Sequence, residues 1–230
     1  MSTAAIVPAA GDGLRLGADR PKALVSLAGE PLVVHALRGL RASEVVDRVI
    51  VAAPIAAGDE LRAALPSEWN GWVRVIDGGA TRQASVAAGL EALSHDHDLV
   101  LVHDAARALV PPAVVVRVVD ALLGGADAVI PVLAMADTVK RVRGGVVLET
   151  VDRAELYAVQ TPQGFQRRIL AAVHAAAVDS DAPATDDAAL VERAGGEVCA
   201  VDGDSEAFKI TRPLDLALAE AVLRSRRHSL

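Results

Sequence analysis

Short runs of β-branched and aliphatic residues alternate with helix-length stretches through the first 130 residues. Residues 4–9, 47–53, 72–76, 98–103 and 126–132 read as strands, rich in Val and Ile and too apolar to face water on one side. Helices are predicted between them at 31–41, 81–93 and 111–123, and two of these open on a proline suited to the first turn. Strand–helix–strand repetition implies right-handed crossovers. The expected fold class is therefore α/β, a Rossmann-like, mostly parallel sheet flanked by helices.

The rhythm breaks after Pro131. Residues 137–142 and 146–148 flank Gly144-Gly145 and read as a β-hairpin on a glycine turn. An isolated hairpin is marginal in water, so this arm, at about residues 134–157, is expected to protrude and pack on a second subunit. The tail resumes with predicted helices at 166–177 and 186–194, a strand at 197–201 and a last helix from Pro213. Gln160 to Gln163 are expected to shape a turn, the acidic stretch 179–187 a loop, and Lys209 to sit on a short strand. The expected organisation is one domain over residues 1–230.

Composition narrows the function. Apolar residues make up 52% of the chain and aromatics 2%, enough for a large core but poor in the platforms that single-stranded nucleic acid stacks on. A net charge of −7 argues against binding nucleic-acid backbones, and any phosphorylated ligand must meet locally concentrated cations. Cys199 is the sole cysteine, which excludes a disulfide framework or thiolate metal site within the chain. No apolar run approaches the length of a membrane span and the first residues lack a basic leader. A soluble cytoplasmic protein is expected, with no membrane partner.

Ala9-Ala10-Gly11-Asp12-Gly13-Leu14-Arg15 follows the first strand at its carboxyl end, where open α/β sheets bind ligands. A dinucleotide fingerprint, and with it an NAD-dependent oxidoreductase, needs a third glycine where Leu16 stands. A P-loop needs Gly-Lys-Ser/Thr, which is absent. The third reading starts from Arg15 and Lys22, the latter restrained by Pro21. Two such cations beside backbone amides suit a triphosphate and the charge that builds at its α-phosphorus.

Pro8-Ala9-Ala10-Gly11-x-Gly13-x-Arg15 with Pro21-Lys22 resembles the signature of the sugar-nucleotidyltransferase superfamily. Within it the chain is similar to the 2-C-methyl-D-erythritol 4-phosphate cytidylyltransferases of the non-mevalonate isoprenoid pathway. Other segments match in order: Gly78-Gly79 with Arg82 and Ser85, His103 to Arg107, Asp137-Thr138, Asp152-Arg153, Gln160 to Gln163, Ala184 to Asp187 and Lys209.

The resemblance implies that Pro8, Ala9, Ala10, Gly11, Gly13, Gly78, Gly79, Arg82, Ser85, Asp104 and Ala105 hold CTP. Arg15 and Lys22 would neutralise the triphosphate. Asp104, Arg107, Thr138, Arg153, Thr185 and Lys209 would meet the polyol phosphate, with Arg153 and Lys209 orienting its attacking group. Thr138 and Arg153 would come from the neighbouring subunit of a homodimer with a shared active site. Mg²⁺ is implied by the triphosphate, with no protein ligand assigned. Ribitol 5-phosphate is the alternative acceptor, because close relatives use it with a similar motif set. His103 is expected to be buried and hydrogen-bonded rather than catalytic.

Overall fold

The computed structural model describes residues 1–11, 16, 17, 20–177 and 184–228. Gly13 and Arg15 lie outside the described residues. An eight-stranded sheet forms the centre. Its parallel part runs β5 (Val73–Asp77), β4 (Arg48–Ala53), β1 (Thr3–Pro8) and β6 (Leu99–Val102). Every residue of β6 is buried, which is why these runs are apolar at both odd and even positions.

Successive residues of β1 serve opposite layers. Ala5 and Val7 pack with residues of α1 (Leu32–Ala42) and α4 (Pro112–Leu123), whereas Ala4 and Ile6 pack with α3 (Arg82–Ala92) and α5 (Arg167–Ala176). Gly89 of α3 sets the spacing in the second layer. A Cβ there would meet Ile6 Cγ2 at 2.5 Å, so the helix lies directly on β1.

Beyond β6 the sheet turns mixed. β11 (Gln163–Gln166) pairs antiparallel with β6 and with β7 (Ala128–Ala134), and β10 (Tyr157–Val159) continues along β7. Val132 pairs with both Val159 and Asp202, and Val129 with both Gly164 and Cys199. β10 and β11 therefore share one edge of β7, and β12 (Cys199–Asp202) takes the other.

This corrects the expectation of a simple turn at 160–163. Gln-Gly-Phe-Gln does not read as a central strand, yet its amides are satisfied from outside the ladder. Gln163 Nε2 donates to Asp186 at 2.7 Å and Gln166 Nε2 to the Leu122 carbonyl at 3.1 Å. The expected strand at Lys209 is absent: residues 208–211 are irregular and anchored by Ile210 N–H to the Ala106 carbonyl, 2.8 Å. A small hairpin, β2 (Ser26–Leu27) with β3 (Glu30–Pro31), and helix α2 (Gly58–Ala64) were not foreseen. The other predicted elements lie within two or three residues of their expected bounds.

The arm is a two-stranded sheet, β8 (Val139–Arg143) with β9 (Val146–Val151). Its turn has φ of 57° at Gly144 and 80° at Gly145, a conformation that glycine supplies without a Cβ penalty. Val142, Val146, Val147 and Leu148 are each more than half exposed. Two helices close the chain, the short α6 (Ala188–Arg193) and then, after β12, the longer α7 (Pro213–His228). Among the described residues no helix is long and apolar enough to cross a membrane.

Candidate active site

A cavity of about 390 Å³ opens where β1, β5 and β6 end. Pro8, Ala9, Ala10 and Gly11 form one wall as the chain leaves β1. Ala9 N–H donates to the Ala52 carbonyl at 2.8 Å, and Lys22 N–H returns to the Gly11 carbonyl at 3.0 Å. That second bond brings Lys22 beside Gly11, and both line the cavity.

The second wall is the turn from β5 into α3. Thr81 caps the helix, its Oγ1 accepting from Ala84 N–H at 3.0 Å. Ser85, fully buried, accepts from Gly79 N–H at 3.1 Å and donates to the Thr81 carbonyl at 2.9 Å. Ser85 thus fixes the backbone of Gly79 to Thr81, and Arg82 lines the cavity from the first turn.

The third wall carries the charge. Asp104 Oδ2 accepts from Lys209 Nζ at 2.7 Å, and Oδ1 from Arg82 Nε at 3.2 Å. Burial pushes the Asp104 carboxyl up, but Arg82 and Lys209 outweigh it and hold the group well below the usual carboxylate range. Arg82 reaches the other way to Asp187, Nη1 to Oδ2, 2.6 Å. Burial opposes the guanidinium's charge, and Asp187 and Asp104 together more than restore it.

His103 lies behind this wall, fully buried and outside the cavity lining. Its Nδ1 is 3.0 Å from Thr161 Oγ1, which also accepts from Asp104 N–H at 3.0 Å. Burial pushes the imidazole down to about 4, so it is neutral at pH 7.

The structure brings Pro8, Ala9, Ala10, Gly11, Lys22, Gly79, Arg82, Ser85, Asp104, Ala105 and Lys209 into one cavity. Gly78 lies just behind it, its N–H on the Ala53 carbonyl at 2.7 Å. Arg107 is placed differently from expectation. Its guanidinium donates to the carbonyls of Ala207 at 2.8 Å and Val159 at 2.9 Å, tying the C-terminal segment to the sheet rather than facing the cavity. Thr185 is exposed and outside the lining, and so is Thr138. Arg153, at the arm's base, donates to the Met135 carbonyl at 3.3 Å.

Sequence reasoning placed Asp187 and Thr161 in matched segments without a partner for either, and did not single out His174; all three lie behind the cavity lining. Asp187 is one acid in an acidic stretch, and no local signal marks its pairing with Arg82, 105 residues away. Among the described residues no three metal-ligating side chains cluster. Asp104, the carboxylate of the described lining, already carries two cations.

Comparison with known proteins decides the family. The model of the 2-C-methyl-D-erythritol 4-phosphate cytidylyltransferase family (IspD) matches residues 3–225. The chain belongs to this family. The cytidylyltransferase of that name from Nocardia farcinica is 54% identical over 98% of this chain and 95% of its own, and that from Streptomyces coelicolor 49% over 98% and 86%. The solved cytidylyltransferase from Thermus thermophilus superposes with a TM-score of 0.82 at 39% identity, covering 97% of this chain and all of that one.

A pH effect on stability follows for this family member. The unfolded His103 binds a proton below its ordinary value of 6.5, whereas the folded one resists until about 4. Its contribution is fully present above pH 6.5 and is lost as pH falls toward 4, at about 1.4 kcal/mol per unit. His35, also pushed down by burial, adds in the same direction. Urea unfolding at pH 7 and 4.5 is expected to show a loss of roughly 2–3 kcal/mol, with a shallower slope in His103→Asn. An equal slope in that variant counts against His103 as the source.

Proposed function

We propose that the chain transfers CMP from CTP to 2-C-methyl-D-erythritol 4-phosphate, releasing pyrophosphate and serving isoprenoid precursor synthesis in the cytoplasm. The observation that carries this reading is the cavity at the ends of β1, β5 and β6, into which the glycine loop brings Lys22 and the C-terminal segment brings Lys209. The family match along residues 3–225 supplies the substrates' identity.

The acceptor's phosphate oxygen attacks the α-phosphorus of CTP. The new O–P bond forms as the bond from the α-phosphorus to the leaving pyrophosphate oxygen breaks. The nucleophile is already an anion, so no proton has to be removed, and a neutral His103 behind the wall is consistent with that. The obstacle is repulsion between two anions, which positioning and fixed positive charge overcome.

Lys22 and Arg15 neutralise the triphosphate, Lys209 and Arg153 of a second subunit orient the attacking phosphate, and Thr138 and Thr185 contact the acceptor. The Gly79 to Ser85 turn, with Pro8 to Gly11 and Gly13, surrounds the nucleotide. Mg²⁺ would be held by the triphosphate's own oxygens and by waters, with no protein ligand assigned, and would supply charge neutralisation.

The exposed apolar side chains of the arm support a homodimer in which the arm completes the neighbour's site. Mixing an inactive Arg153 variant with an inactive Lys22 variant is then expected to restore partial activity through mixed dimers. No recovery despite subunit exchange counts against a shared site.

The test of the function is pyrophosphate release with CTP against a panel of polyol phosphates. Turnover is expected with methylerythritol phosphate and far less with ribitol 5-phosphate. Preference for ribitol 5-phosphate, or for another nucleotide, overturns the reading.

A further inference from the structure

Behind the cavity, charged groups alternate in sign along a path leading away from it. Lys209 meets Asp104, Asp104 meets Arg82, and Arg82 meets Asp187. Asp187 Oδ1 is 2.9 Å from His174 Nε2. The first three line the cavity, whereas Asp187 is 1% and His174 5% exposed, both outside its lining.

The roles at the inner end are fixed by chemistry. Burial pushes the Asp187 carboxyl up, but the hydrogen bond from His174 and the charge of Arg82 outweigh it and keep it ionised. An ionised carboxylate only accepts, so His174 Nε2 carries the proton between them. His174 Nδ1 is buried with no partner among the described residues. The ring is therefore held in place through Nε2, and Asp187 through both its oxygens.

Three elements converge here: α5 supplies His174, the start of α6 Asp187 and the first turn of α3 Arg82. Arg82 divides its guanidinium between a fully buried carboxylate and the cavity carboxylate. If Asp187 could rotate, the Arg82 fork would follow it, and Asp104 would lose the partner that sets where Oδ2 meets Lys209.

We propose that His174 and Asp187 are positioning residues for the reaction, holding Arg82 and, through it, Asp104 and Lys209 in the cavity. The inference rests on the cytidylyltransferase reading and assigns work to two residues outside the cavity lining.

The test is a double-mutant cycle on kcat/KM for CTP and methylerythritol phosphate, because residues that share no partner act additively. His174→Leu is expected to lower kcat/KM about tenfold in the wild-type background but less than about twofold in Asp104→Asn, where the path is already broken. His174→Gln, which keeps a donor on the δ-carboxamide, is expected to recover to within about threefold of wild type. Asp187→Asn run through the same two backgrounds is expected to repeat the pattern, and it carries the test if the leucine variant does not fold.

An equal loss in both backgrounds, or no loss in a folded variant, overturns the proposal. CTP titration of the same proteins gives the cycle without an acceptor. Failure of wild-type turnover on this substrate pair would strike the function reading, and an additive cycle would strike only the positioning role.

Discussion

Lys22→Ala is expected to lose turnover by about a hundred- to a thousandfold, the scale on which removing one preorganised donor to developing charge acts. The variant should fold normally. Lys22 is held by its own backbone bond to Gly11, which the substitution leaves in place, and its neighbours Ala23 and Leu24 keep their buried positions. The loss is expected mainly in kcat, because charge at the α-phosphorus peaks in the transition state. Single-turnover pyrophosphate release with saturating CTP measures it, and an unchanged rate would remove Lys22 from the chemistry.

Arg82→Leu is expected to be the more damaging change to the protein itself. It leaves Asp187, 1% exposed, with the hydrogen bond from His174 as its remaining side-chain partner among the described residues. Removing one partner of a buried pair costs about 3–5 kcal/mol. For a chain of this size that lowers the melting temperature by about 10 °C. Replacing Asp187 by Leu as well removes the stranded charge, and the double variant is expected to regain much of the stability while remaining inactive. Thermal unfolding of the wild type, Arg82→Leu and the double variant decides it. A double variant no more stable than the single one would mean that Arg82 contributes through packing instead.

The two residues also mark what could be read from the chain. Lys22 was legible because everything that places it is local: a strand, small residues, a proline and the cation lie within one stretch of sequence. The same holds for Gly79 to Ser85, where a strand end, glycines and a helix cap follow in order. The partners of Arg82 were not legible. Hydrogen bonds from Arg82 to Asp187 and from Lys209 to Asp104 each span 105 residues, and no periodicity or motif encodes a contact at that distance.

Arg107 shows the converse. It sits in a matched motif with the chemistry of a phosphate donor, but two backbone carbonyls of the tail and of β10 hold its guanidinium. The strand Gln163–Gln166 escaped for a different reason. Its polar ends contradict the usual pattern of a central strand, and hydrogen bonds with Asp186, Ala188 and the Leu122 and Ala126 carbonyls make its burial tolerable.

The irregular tail that delivers Lys209 sets a timetable for the molecule. The residues of β1 to β6 all belong to the first half of the chain, whereas Lys209 joins the cavity only when residues 207–210 dock on Ala106 and Arg107. A growing chain therefore carries the residues proposed for the nucleotide long before it owns the group proposed for the acceptor. A product cut short before residue 209 is expected to lack both the proposed contact to the acceptor and helix α7, with its buried Ala219.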